Sequence, residues 1–141
     1  MFQHILVPVD GSDYSLKAAK TAASIAEKYA SKVTLLCVRT LPKTTPGFNS
    51  GDYYIPNDFI KNLEDEGKEI LQQAQQVFTE KSVETLIRIG NPAQEILEEA
   101  KNGYELIVMG SRGLGEIRGF LMGSVSDRVS HHAKVNVMIV H

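Results

Sequence analysis

The residues of this sequence best suited to chemistry form a glycine-rich segment. Residues 110–124 read GSRGLGEIRGFLMGS and contain five of the eleven glycines in the chain. Glycine loses more backbone entropy on folding than any other residue, so such a cluster indicates positive φ angles or a partner that approaches the backbone closely. A phosphate group is one such partner. Because the segment follows the apolar run 105–109, we expect it to leave the carboxyl end of a strand.

The end of this segment has the residue types of an anion site. Gly123 precedes Ser124 and Ser126, where the sequence predicts the start of the last helix. The first N–H groups of a helix lack intrahelical partners and the helix dipole is positive there, so an oxyanion can bind. Gly123 would let the anion approach, and the two serine hydroxyls would add donors. The alternative is that Gly110 and Gly113 only shape the connection and that Ser124 only caps the helix.

Spacing excludes two common phosphate-binding motifs. A P-loop requires Gly-Lys followed by Ser or Thr, whereas Gly67-Lys68 is followed by Glu69. A dinucleotide fingerprint that began at Gly113 would require a glycine where the chain has Arg118. The glycine-rich segment therefore belongs to neither class.

A carboxylate after the first apolar run is the second candidate for chemistry. Asp10 lies in the stretch Pro8-Val-Asp-Gly-Ser12. Open α/β sheets bind ligands at the carboxyl ends of strands, beside the point where the strand order reverses. If the first and fourth strands are neighbours there, Asp10 lies across the crevice from the glycine-rich segment. Its carboxylate could accept hydrogen bonds from ribose hydroxyls or an adenine amine. Capping of the strand-to-helix turn is an equally open alternative.

Alternating patterns along the chain predict the elements that position these residues. Apolar runs predict strands over residues 4–9, 33–38, 83–89, 105–109 and 135–140. Helical periodicity lies between them, so we expect an α/β fold: a three-layer, Rossmann-like open sheet of five parallel strands with helices on both faces. The charges within 83–89 predict an edge strand.

Caps and apolar spacing define the predicted helices. The first helix begins at Ser12 or Asp13, the third begins at Asn91 with Pro92 and Gln94 in a capping box, and the fourth spans roughly 123–133. Spacing predicts an inward face on the first helix, formed by Leu16, Ala19, Ala22, Ala23, Ala26 and Ala30. The second helix has a corresponding face, formed by Phe59, Leu63, Gly67, Ile70, Ala74 and Val77.

Composition limits the classes of function. The chain of 141 residues is expected to form a single domain (1–141), and its net charge of −2 gives no indication of nucleic-acid binding. Cys37 lies in an apolar run and is expected to be a core thiol in a reducing compartment. Neither a long apolar stretch nor a signal peptide is evident, so we expect no membrane insertion and a cytoplasmic protein.

Three further segments carry expectations about partners and metals. The uncharged strand 135–140 would lie at a sheet edge and pair with a second copy, which predicts a homodimer. Segment 40–56 is rich in turn formers and is expected to be a lid or disordered. His131 and His132 are adjacent, so on a helix they point in different directions and no metal site is expected.

The glycine pattern resembles the nucleotide-binding signature of universal stress proteins. That signature is Gly, two residues, Gly, nine residues, Gly, then Ser or Thr, and it is matched by Gly110, Gly113, Gly123 and Ser124. HILVPVDGSDYS, GNPAQEI and LIVMGSRGLG also resemble the family, so the resemblance spans the chain. It implies strand order 3-2-1-4-5, a dimer through the last strand and ATP at the point of strand reversal.

The resemblance also implies which residues hold the nucleotide. The adenosine contacts would be Pro8, Val9, Asp10 and Val38. The residues that flank ribose and phosphate would be Met109, Gly110, Arg112 and Gly113. The phosphates would bind Gly123, Ser124, Val125 and Ser126. Mg²⁺ would be held mainly by phosphate oxygens and water, because it takes few protein ligands; no protein metal ligand and no catalytic residue are predicted.

The sequence favours binding over catalysis. Phosphoryl transfer needs a positioned nucleophile and charge stabilisation, and the one acid in the glycine-rich segment, Glu116, is a weak base candidate. We therefore expect a stress-response or signalling switch with little or no ATP turnover, read by an unknown protein partner. A slow ATPase or adenylate-chemistry enzyme and a dimeric adaptor with structural glycines are the alternatives. ATP, AMP and a cyclic dinucleotide all remain open as the physiological ligand.

Overall fold

The structure is a computed structural model that describes residues 1–42, 56–79, 83–115 and 122–141. Strands and helices alternate along the chain. The strands are β1 (His4–Pro8), β2 (Lys32–Arg39), β3 (Val83–Ile89), β4 (Leu106–Gly110) and β5 (Asn136–Val140). The helices are α1 (Asp13–Tyr29), α2 (Asn57–Gln75), α3 (Pro92–Glu99) and α4 (Ser124–His132).

The strands form one parallel sheet in the order β3-β2-β1-β4-β5. This confirms the predicted fold class and strand order. β1 pairs with β2 on one side and with β4 on the other, so the strand order reverses between β1 and β4. β3 lies at one edge, as its charges predicted, and β5 lies at the opposite edge.

The central strands are buried on both faces by two layers of helices. Ile5 and Val7 of β1 pack in the cluster that contains α1 and α2, whereas Leu6 packs in the cluster that contains α3 and α4. All three side chains are fully buried. Successive residues of a strand point to opposite faces, and a strand covered on both faces is therefore apolar almost throughout. The prediction of helices on both faces is confirmed.

Helix α1 begins at its predicted cap and packs closely on the sheet. The Ser12 hydroxyl accepts a hydrogen bond from the Ser15 N–H at 3.2 Å. The buried residues of the helix are small, which lets it approach the strands; they are Ser15, Ala18, Ala19, Ala22 and Ala23. Leu16 and Ala26 are half-buried. The placement of Ala30 on the inward face is wrong, because Ala30 ends the helix in the left-handed region at φ 53° and is exposed.

Three of the six residues predicted on the inward face of α2 are buried. Leu63, Gly67 and Ala74 are buried, together with Leu71, which was not predicted. The other predicted members lie away from the centre of the face: Phe59 is 37% exposed, Ile70 is half-buried and Val77 follows the end of the helix. Positions 70 and 71 lie three and four residues after Gly67, so both are near the buried stripe, and the rotation of α2 on the sheet decides which one is buried.

The remaining local predictions have mixed outcomes. Asn91 caps α3 by accepting from the Gln94 N–H at 3.1 Å, and Pro92 occupies the first turn, as predicted. Cys37 is buried in the core. Most of segment 40–56 lies outside the described residues. Within the described ranges, no helix is long and apolar enough to cross a membrane, and no group of three His, Cys, Asp or Glu side chains could hold a metal ion.

Candidate functional site

A cleft of about 340 Å³ opens at the carboxyl ends of the central strands. It lies where the strand order reverses, which is the position at which open α/β sheets bind ligands. Helix α3 contributes Pro92 and Ile96 to its wall, and the start of α4 contributes Val125 and Ser126. Small-molecule sites commonly have volumes of about 300–1,000 Å³. The cleft is therefore large enough for a small ligand.

Most of the residues predicted to hold a nucleotide line this one cleft. Those that do so are Pro8, Val9, Asp10, Val38, Met109, Gly110, Arg112, Gly113, Gly123, Val125 and Ser126. Ser124 is the exception, because as the first residue of α4 it is exposed outside the lining. Four separate segments of the chain thus converge. Three of them lie at the carboxyl ends of parallel strands, which meet at the same edge of a sheet, and the fourth is the start of α4.

The cleft also contains residues that sequence reasoning missed. They are Ser15, Leu36, Arg39, Thr40, Pro92, Ile96 and Leu114. Leu36 could have been found, because it lies two residues before Val38 and therefore on the same face of β2. Pro92 and Ile96 could not, since their contribution depends on where α3 packs against the sheet.

Asp10 joins the turn after β1 to the glycine-rich segment. One carboxylate oxygen, Oδ1, accepts from the Ser12 N–H at 2.9 Å, and the other, Oδ2, accepts from the Leu114 N–H at 3.0 Å. The first contact closes the turn, and the second reaches across the crevice. Each carboxylate oxygen has two lone pairs, so both can still accept from a ligand. The turn-capping role and a ligand-binding role are therefore compatible.

Contacts within the protein account for two glycines of the segment. A Cβ atom on Gly113 would lie 2.5 Å from Asp10 Oδ2, and a Cβ atom on Gly110 would lie 2.8 Å from the backbone carbonyl carbon of Tyr14. Both distances are too short for a side chain. Gly110 therefore lets α1 approach the end of β4, and Gly113 lets the Asp10 carboxylate approach the loop. This supports the alternative in which these glycines shape the connection.

The first turn of α4 differs from those of α1 and α3 because a glycine caps it. Gly123 has φ −73° and ψ 162°, and α4 has no side-chain cap hydrogen bond. Among the residues that the structure describes, no side chain accepts from the first-turn N–H groups, which belong to Ser124, Val125 and Ser126. Val125 and Ser126 line the cleft. This turn can bind an anion through backbone N–H groups and the positive end of the helix dipole.

The Ser126 hydroxyl is engaged within the protein, contrary to its predicted role as a donor to an anion. The Ser126 Oγ donates to the Ser111 carbonyl oxygen at 2.8 Å and lies 3.1 Å from the Gly123 carbonyl oxygen. Its hydroxyl hydrogen is thus used within the protein and is not directed at a ligand. The predicted role of this hydroxyl as a ligand donor is therefore not supported by its hydrogen bonds.

Ser111 connects the two ends of the glycine-rich segment. Its carbonyl oxygen accepts from the Gly123 N–H at 2.6 Å, and its own N–H donates to the Val140 carbonyl oxygen at 2.8 Å. The Ser111 Oγ is buried and has no hydrogen-bond partner in the part of the chain that the structure describes. The start of α4 is therefore tied through Ser111 to the edge strand β5. Glu116 and Arg118, between the two ends, lie outside the described residues.

Among the described residues that line the cleft, the charged side chains are one carboxylate and two arginines. Asp10 faces the loop, Arg112 lies near the Tyr14 ring, and Arg39 pairs with Glu66 of α2. The nearby Cys37 is no nucleophile at neutral pH, because burial raises the pKa of its thiol to about 11. Arg39 lowers this pKa and Asp10 raises it, but both effects are smaller than that of burial.

Comparisons with known proteins give a consistent result. Residues 1–141 match a family model described as the universal stress protein family. The chain is 38% identical over 147 residues to "Universal stress protein YxiE" of Bacillus subtilis, with 99% of each chain covered. The structure is similar to universal stress protein UspA from Lactobacillus plantarum, with a TM-score of 0.80, 28% identity and coverage of 99% and 98%. It is also similar to a universal stress protein in complex with cAMP, with a TM-score of 0.66, 29% identity and coverage of 99% and 97%.

Proposed function

The chain belongs to the universal stress protein family, and from that premise we propose that it binds ATP in the cleft and acts as a nucleotide-dependent stress-response or signalling switch. The observation that carries the proposal is the first turn of α4, whose glycine N-cap provides no side-chain hydrogen bond and which opens on the same cleft as the Asp10 carboxylate. One group suits phosphate oxygens and the other suits ribose hydroxyls.

The ligand would span the cleft from β2 to α4. Adenosine would lie against Pro8, Val9, Asp10 and Val38. Ribose and the first phosphate would pass Met109, Gly110, Arg112 and Gly113. The phosphates would pass Gly123, which has no side chain in the way, and reach the N–H groups of Val125 and Ser126, with Ser124 at the rim. A relative 29% identical was solved with cAMP, which supports an adenine nucleotide as the class of ligand.

Mg²⁺ would enter with the nucleotide and would not need a site built by the protein. The described residues contain no cluster of three potential metal ligands. Mg²⁺ retains much of its hydration and binds phosphate oxygens readily, so it requires few protein ligands. When bound, the ion would neutralise part of the phosphate charge.

The bound anion would be linked to the sheet edge through hydrogen bonds. An anion on the first turn of α4 would hold Gly123, whose N–H donates to the Ser111 carbonyl oxygen, and Ser111 in turn donates to Val140 of β5. A ligand can shift a conformational equilibrium only by its differential affinity for the two states. In the proposed switch, bound nucleotide would hold this hydrogen-bonded connection between α4 and β5, and a protein partner would read that state.

Little or no turnover is expected from the groups present. Both Asp10 oxygens accept hydrogen bonds from the backbone, and Cys37 is protonated at neutral pH. Neither residue is a positioned base for an attacking water, and Glu116 lies outside the described residues. A steady-state rate of ATP hydrolysis above about one per second, the low end of ordinary enzymes, would refute this part of the proposal.

A homodimer through β5 and a cytoplasmic location complete the proposal. β5 lies at a sheet edge, and Met138 in its centre is 37% exposed. An apolar edge strand whose outer backbone groups are unpaired can pair with the same strand of a second copy. Sedimentation equilibrium should give a dimer at micromolar concentration and a monomer for Met138→Lys; a monomeric wild type would contradict the dimer. Cell fractionation tests the location.

The direct test of the proposal is the identity of the bound molecule. Freshly purified protein would be denatured, and any released small molecule would be identified by chromatography and mass spectrometry. ATP recovered near one per chain supports the proposal, whereas ADP or AMP favours the enzyme alternative. If nothing is released, ATP with Mg²⁺ is titrated by calorimetry; no binding at millimolar nucleotide would overturn the proposal and favour the adaptor with structural glycines.

A further inference from the structure

We propose that Tyr14 is a positioning residue for Arg112, and that this pair sets how strongly the cleft prefers nucleotides with more phosphates. The inference rests on the proposed function and specifies a determinant of ligand selectivity within the same cleft. Tyr14 acts through Arg112 and does not line the described cleft itself.

The backbone of Tyr14 is held against the end of β4. It is the second residue of α1, whose cap Ser12 fixes the start of the helix. The Tyr14 backbone carbonyl carbon and Cβ both lie 2.8 Å from the position that a Cβ atom on Gly110 would take. Because α1 and β4 meet here without an intervening side chain, the backbone and Cβ from which the Tyr14 ring extends are fixed relative to the cleft.

Arg112 follows Gly110 by two residues and lies near this ring. Its guanidinium carbon is 5.8 Å from the ring centroid, and Arg112 also lines the cleft. A cation within about 6 Å of an aromatic centroid is attracted to the ring. A free arginine side chain loses conformational entropy when it binds a phosphate, and a guanidinium already restrained by the ring loses less.

A second cation shares the ring and increases the positive charge at this end of the cleft. The Lys17 Nζ lies 5.6 Å from the same centroid, one turn further along α1. In the described parts of the chain, neither Lys17 nor Arg112 forms an ion pair with a carboxylate. The two cations therefore attract a ligand more strongly as its negative charge increases. Adenosine, which has no phosphate, would gain nothing from this arrangement.

Calorimetric titration with adenosine, AMP and ATP tests the role of the ring. Tyr14→Leu should weaken ATP binding by about two- to five-fold, the effect of one exposed cation–π contact, and should leave adenosine binding unchanged. Tyr14→Phe keeps the aromatic ring and should therefore retain the wild-type ratio of ATP to AMP affinity. In an Arg112→Gln background, Tyr14→Leu should have no further effect on that ratio.

A matched control is provided by the other end of α1. Tyr29 has the Lys28 Nζ at 5.9 Å from its ring, a similar contact away from the cleft, so Tyr29→Leu should leave the affinity ratio unchanged. The inference is overturned if Tyr14→Leu keeps the wild-type ratio, or if it weakens adenosine and ATP binding equally. If the wild type binds none of the three ligands, the proposed function itself is wrong and this inference falls with it.

Discussion

Replacing Gly123 with aspartate should separate nucleotide binding from folding. Gly123 is the N-cap of α4, and its φ of −73° and ψ of 162° suit any residue. Aspartate is among the best N-cap residues because its carboxylate accepts the first-turn N–H groups. In Gly123→Asp, the side chain would occupy the N–H groups that the proposal assigns to phosphate. It would also place a negative charge where the phosphates bind.

The structure allows the size of both effects to be worked out. Hydrogen bonds to a charged group contribute about 1.5–3 kcal/mol each. The loss of two such bonds, from Val125 and Ser126, costs at least about 3 kcal/mol, or more than about a hundred-fold in the ATP dissociation constant. The free energy of unfolding should rise by a few tenths of a kcal/mol, because aspartate caps a helix slightly better than glycine.

Two assays and one control variant check this prediction. Calorimetry measures ATP affinity, and thermal unfolding without ligand measures stability. The control is Asn91→Asp, which adds the same charge at the N-cap of α3, outside the lining of the cleft, and should retain wild-type ATP affinity. Wild-type affinity in Gly123→Asp would refute the assignment of phosphate to α4. A melting temperature several degrees lower would refute the capping argument.

Three further predictions concern the fold. Gly110→Ala should lower the free energy of unfolding in urea by about 1–3 kcal/mol, because its Cβ would lie 2.8 Å from the Tyr14 backbone; an unchanged midpoint would contradict this. Burial raises the pKa of Tyr104 from 10.0 to about 12, so the folded state retains this proton longer and stability should fall between pH 10 and 12. Tyr104→Phe should reduce that loss in circular dichroism melts. Cys37 in native protein should react with a thiol reagent at pH 8 far more slowly than in urea, since its pKa is about 11.

Local features of the sequence predicted the elements and their order. The apolar runs of the central strands, such as residues 5–9, are continuous because both faces of those strands are covered. The caps Ser12 and Asn91 were identified because an N-cap hydrogen bond spans only three residues. Charges in β3 predicted its position at the edge. Each of these signals depends on residues that are neighbours in the chain.

Helix ends were predicted less well, because they depend on more than periodicity. Ala30 continues the apolar spacing of α1, yet the helix ends at Tyr29 and Ala30 itself adopts the left-handed conformation. Val77 continues the spacing of α2, which ends at Gln75. Periodicity identifies a face but does not specify where the sheet beneath it stops. Leu71 was missed for a related reason, since the exact rotation of α2 on the sheet decides between neighbouring positions.

The candidate site shows the same division between sequence and tertiary structure. The spacing of Gly110, Gly113 and Gly123 was sufficient to indicate a loop and helix start that suit an anion. Only the fold revealed that Gly110 accommodates Tyr14 and that Gly113 accommodates Asp10, because those partners are distant in sequence and meet only when β1 and β4 pair. A glycine in the sequence indicates that another group approaches the backbone closely at that position. Only the packed tertiary structure shows which group that is.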